Sequence, residues 1–173
     1  AIRNCRIVGV EHTGIYLNHG CTENVVEGNY VEGRSGLSGS DDSPLIIIRS
    51  DVYGTTGSNG LVDEGSGLLT FDRSNALSAT SLRNIVRGNS CVYGTHGIML
   101  FNAALNIVTG NTCRQQAHRG IILSPTSERN AIVANTIDRP ASSGIHLALG
   151  CRYNSITANA VYGTTGGEGD GIK

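Results

Sequence analysis

Four of the five histidines fall on or beside one recurring landmark, a Gly-Ile pair. His12 lies just before Gly14, His96 directly precedes Gly97, His118 and Arg119 precede Gly120, and His146 follows Gly144 and Ile145. An imidazole takes or delivers a proton near neutral pH, and a guanidinium neutralises a carboxylate through a paired contact. His96, His118, Arg119 and His146 together therefore suit chemistry on a polysaccharide that carries uronate groups. A second set is acidic: Asp63, Glu64 and Asp72 beside Arg73, with Asp41 and Asp42 upstream. Paired carboxylates serve as acid and base in glycosidic cleavage, or ligate Ca²⁺ through oxygen. The plainer alternative for both sets is charged turn and loop residues in water.

The histidines become neighbours only if the chain returns to the same place every two dozen residues, and the sequence says that it does. The frame Asn-x-(Ile/Val)-x-x-Asn occurs as NIVRGN at 84–89, NIVTGN at 106–111, NAIVAN at 130–135 and NSITAN at 154–159, with starts 22, 24 and 24 residues apart. An earlier copy, NVVEGN at 24–29, is close in form. Gly-Ile recurs in step at Gly14, Gly97, Gly120, Gly144 and Gly171. Within a unit the apolar residues are two apart, as in Ile98 and Leu100 or Ile121 and Leu123, which is strand period. Helical spacing is nowhere sustained. Several short strands per repeat, stacked coil on coil, make a parallel β-solenoid, because a single coil cannot bury its own apolar face. Asparagine suits a bend, and at the ~4.8 Å strand spacing its amide reaches the asparagines above and below. Glycine before isoleucine marks a turn where a Cβ would clash. A leucine-rich repeat has a similar period but needs more leucine and a helical half.

The frame GIxL…NxIxxN resembles the right-handed parallel β-helix of pectate-lyase-like proteins. Its coil repeats are also found in copper-maturation periplasmic repeat proteins, alginate epimerases and phage tailspikes. The resemblance covers 84–173 and, less closely, 1–33. It implies an all-β fold, a right-handed single-stranded parallel β-helix with 22–24 residues per coil. The expected organisation is one domain over 1–173 with an irregular, loop-bearing insertion over 33–83. The 55 residues between Asn29 and Asn84 would hold about two coils plus extra. Catalytic motifs of the related enzymes do not carry over. No proline precedes a histidine, so the Asp-Pro-His-Asp of mannuronan epimerases is missing. Asp63, Glu64, Asp72 and Arg73 are the nearest analogue of the Ca²⁺-binding cluster of pectate lyases, without its local motif.

Composition bounds the rest. A net charge of −1 argues against nucleic acid as a partner. The longest aliphatic run, LIII at 45–48, is too short to cross a membrane. Stacking also forms a column of Glu32, Val92, Arg114, Asp138 and Tyr162, in which Arg114 and Asp138 are expected to pair. Five cysteines lack any C-x-x-C spacing, and Cys91 and Cys113, which share an inward position, read as inert core thiols. A metal-handling solenoid would need clustered methionine or cysteine, and the chain has one Met and scattered Cys. The expectation is thus no cofactor, or calcium. The function expected is binding or processing of an extracellular polysaccharide, by lyase or hydrolase chemistry if catalytic, at an extracellular, cell-surface or virion location. The competing class is a structural solenoid: a shaft, adhesin or assembly subunit with no active site. The chain starts inside a coil and stops at GDGIK, which reads as a fragment, or as ends covered by other chains, for example in a homotrimer.

Overall fold

The computed structural model describes residues 1–18, 20–34, 36, 44–50, 81–124, 126–148, 150–165 and 169–173, and the backbone alone of 61–63 and 69–71. A three-residue strand has one inward side chain, and here that residue is Val26, Val86, Val108 or Ile132, each fully buried. Burying such a side chain contributes about 1.5–3 kcal/mol, too little for one coil to stand alone. The coils therefore stack, and they do so as three long parallel sheets and a short one, Ser81–Leu82 with Ala103–Ala104. The first holds Ile2–Arg3, Val25–Glu27, Ile85–Arg87, Ile107–Thr109, Ala131–Val133 and Ser155–Thr157. The second holds Arg6–Val10, Tyr30–Gly33, Ser90–Val92, Thr112–Arg114, Thr136–Asp138 and Ala160–Tyr162. The third holds Ile15–Asn18, Pro44–Arg49, His96–Phe101, Arg119–Leu123 and Ile145–Leu147. No helix occurs among the described residues. The parallel β-helix expected from the repeat is the fold observed.

Two asparagine ladders run up the corners on either side of the first sheet. In one, Asn24, Asn84, Asn106, Asn130 and Asn154 are linked in that order; in the other, Asn29, Asn89, Asn111, Asn135 and Asn159. From Asn84 and Asn89 onward, each side-chain oxygen accepts two hydrogens from the asparagine one coil earlier, one from its backbone and one from its amide. For Asn135 and Asn111 these bonds are 3.0 and 2.9 Å. Apart from that of Asn24, each amide nitrogen also donates to a backbone carbonyl of the earlier coil, as Asn111 does to Val86 at 2.9 Å. The left-handed bend is made by the residue before the asparagine, not by the asparagine itself. Glu23, Arg83, Leu105, Arg129 and Tyr153 all have φ between 53 and 59°. At the Gly-Ile turn, a Cβ on Gly120 would strike Ile137 and lie 2.7 Å from the carbonyl oxygen of Gly144. Glycine is needed there for space.

The stretch between Asn29 and Asn84 is one coil rather than two. Val25–Glu27 pairs directly with Ile85–Arg87, and Asn24 bonds directly to Asn84. Within that loop-bearing region LIIIRSDVYG, from Leu45, reads as a strand, and Pro44–Arg49 is a regular strand between Ile15–Asn18 and His96–Phe101. The extra chain thus falls between Gly33 and Pro44 and, for the most part, between Arg49 and Ser81. It includes an antiparallel pair, Leu61–Asp63 with Leu69–Phe71.

The ladders generate a stability prediction. Asn111→Ala leaves a buried backbone N–H of Asn89 and a strand carbonyl without their partners, and it should lower unfolding free energy by about 3 kcal/mol in urea titration. Asn159→Ala, at the more exposed end of the same ladder, should cost less than half of that. Equal losses at the two positions would show that the ladder does not carry the difference.

Candidate functional site

The corner from the second sheet into the third gathers the titratable side chains. The Gly-Ile turn places His96 and Arg119 in register on neighbouring strands. His118, one residue earlier, donates its backbone N–H to the carbonyl of Thr95, which sets its ring beside that of His96. The two ring centroids are 5.2 Å apart and tilted by 33°. A guanidinium nitrogen of Arg119 approaches Nδ1 of His118 at 3.5 Å. Guanidinium only donates, so the neutral tautomer that accepts this contact at Nδ1 carries its hydrogen on Nε2. His96 is buried at 2% exposure, whereas His118 and Arg119 are half-buried. The reachable groups are therefore His118 and Arg119, with His96 behind them.

His146 does not join this group. It pairs with Ile122, three positions along the strand from Arg119, or roughly 10 Å at ~3.3 Å per residue. Coil stacking fixed its column but not its distance along the strand. Its outward neighbours are Ile47, Met99 and Ile122, which form an apolar cluster separate from the interior core, with Phe101 packed against it. The guanidinium of Arg49 lies 4.8 Å from the Phe101 ring centroid. Of the acidic set, Glu64, Asp72 and Arg73 lie outside the described residues, as do Asp41 and Asp42. Asp63 is placed by its backbone alone, at the end of Leu61–Asp63.

On the outer face of the second sheet, Asp138 bonds to its own neighbour Arg139 at 3.1 Å rather than pairing with Arg114 across the coils. Tyr30, which the sequence reading did not single out, donates its hydroxyl hydrogen to Glu32 at 2.6 Å. Its signal was available: a tyrosine and a glutamate two residues apart on one strand share a face. The two core thiols are protected. Cys91 and Cys113 are directly opposed and fully buried. Contact with Cys113, and then burial, push the Cys91 thiol well up. Burial also pushes Cys151 up to about 11.

Residues 65–165, more than half of the chain, match the family profile described as periplasmic copper-binding protein (NosD). No curated protein and no solved structure matches the chain. The periplasm of that description agrees with a location outside the cytoplasm and does not single out a cell surface or a virion. The expectation of no cofactor, or of calcium, is corrected by this match, because the metal in the family's description is copper. Calcium takes six to eight hard oxygens, whereas copper takes imidazole and sulfur, a donor class the sequence reading discounted for want of a Met or Cys cluster. The described residues themselves do not fit copper. No three His, Cys, Asp or Glu side chains among them converge on a metal-sized site. The nearest donors by type, His96 and His118, stand beside the fixed positive charge of Arg119, which opposes a second cation. The Cys91 thiol, pushed up by its contact with Cys113 and by burial, holds its proton.

Alkylation of the native protein tests the thiol arrangement. Iodoacetamide should label exposed Cys5 first and leave Cys91 and Cys113 unmodified until the protein unfolds. Cys151 should react slowly at pH 8 and faster as pH nears 11, where its thiolate forms. Native labelling of Cys113 at the rate of Cys5 would contradict the packing.

Proposed function

The chain belongs to the NosD family, and on that premise we propose that it is an envelope β-helix that binds an acidic polysaccharide at the corner formed by His96, His118 and Arg119. The observation that carries this reading is the guanidinium of Arg119 set against an imidazole pair on one strand edge. A guanidinium engages a carboxylate with two parallel hydrogen bonds. With Nδ1 turned toward Arg119, Nε2 of His118 points a hydrogen at an incoming sugar oxygen. With its hydrogen on Nε2, His118 donates, which suits binding. His96 lies behind His118, its ring tilted by 33°. Lyase or hydrolase cleavage is the finer version of this reading and would call on an imidazole as the base.

The family's description favours a second reading, a role in copper handling. Calorimetry with oligogalacturonate and with a neutral galactose oligomer, beside equilibrium dialysis against Cu²⁺, separates the two. The acidic oligomer should bind and the neutral one should not. Arg119→Ala should weaken binding about 10- to 100-fold, the worth of a charge-assisted hydrogen bond. No binding of the acidic oligomer, with one equivalent of copper retained, would overturn the polysaccharide reading in favour of the metal.

A further inference from the structure

We propose a second sugar subsite on the outer face of the second sheet, in which Arg6 and Arg114 hold uronate carboxylates and Glu32 and Tyr30 hold hydroxyls between them. It rests on the polysaccharide reading above and extends it along the helix axis. Arg6 and Tyr30 are in-register partners, and the Arg6 guanidinium stands 5.2 Å from the Tyr30 ring centroid. Glu32 accepts the Tyr30 hydroxyl hydrogen through Oε2, which leaves Oε1 to accept from a ligand hydroxyl. The bond to Glu32 pushes the Tyr30 phenol above its ordinary value, so the phenol stays protonated.

Arg114 is the informative residue. It is exposed, and Asp138 is its direct register partner, yet Asp138 takes Arg139 instead. Buried Val92 separates the Glu32 row from the Arg114 row, so their backbones stand two strands apart, roughly 9.6 Å at ~4.8 Å per strand. From the strand of Arg6 to that of Arg114 is three strand steps, or roughly 14 Å. A straight acidic oligomer laid across the coils meets a cation, then a hydroxyl-binding pair, then a cation. Arg114 also lies on the same coil as His118 and Arg119, five residues before Arg119, so the subsite and the corner group border each other.

The test compares Arg114→Ala, Glu32→Gln and Tyr30→Phe with Arg119→Ala, using a galacturonate oligomer as probe and the neutral galactose oligomer as control. All are surface changes, and unchanged thermal melting confirms folding. Arg114→Ala and Glu32→Gln should each weaken the acidic oligomer about tenfold, and Tyr30→Phe about threefold, in line with one lost hydrogen bond each. Wild-type affinity in Arg114→Ala and Glu32→Gln, with a loss in Arg119→Ala, overturns the subsite and leaves the corner reading standing. No binding of the acidic oligomer by the unaltered protein overturns both.

Discussion

A corner of stacked chain leaves backbone N–H groups pointing along the axis with no strand partner, and the whole fold depends on how they are satisfied. Here the side-chain oxygen of an asparagine one coil further on accepts that hydrogen and a second one from the earlier amide. A buried N–H left without a partner costs about 1–3 kcal/mol, so two continuous ladders decide whether the corners can be buried. Once they are, the three-residue strands between them fall into register, and each fully buried Val or Ile meets its equivalent above and below. The same register sets which surface residues become neighbours. The candidate site is thus a consequence of the corner, not an addition to it.

The ladders explain why the architecture was legible in the sequence. Asparagine at both ends of the frame and glycine before isoleucine are residue types with one physical reason each: a partner for a stranded N–H, and room for the next coil's Ile137 or Cys113. Substitution elsewhere is free, which is why nearly everything between changes. The coil count in the divergent stretch was not legible. Nothing in the composition of 30–83 shows that Asn24 skips straight to Asn84, because loop closure depends on where the chain returns rather than on what it is made of. Similarly, the left-handed residue could be placed at the bend but not at its position just before the asparagine.

The site was legible only in columns. Residues 22–24 apart could be assigned to rows, and His96, His118 and Arg119 do meet. His146, grouped with them by its nearness to a Gly-Ile pair, lies along the strand beside Met99 and Ile122 instead. Periodicity gives which coil and which face; it does not give ring tilt, burial, or the choice of Asp138 for Arg139 over Arg114. The family's copper could not be read from donor spacing, and the described coils still offer no convergent donor set. What they offer is the Arg119 guanidinium beside the His118 imidazole.

Native-state hydrogen exchange at the backbone amides of the ladder asparagines tests the central claim most directly. If the side-chain oxygens hold those hydrogens, the amides of Asn84, Asn89, Asn106 and Asn111 should exchange as slowly as those of the neighbouring strands, and only with global opening. Fast exchange at those four amides, with the strand amides still protected, would mean that the corners are open to water and that the ladders do not hold the coils together.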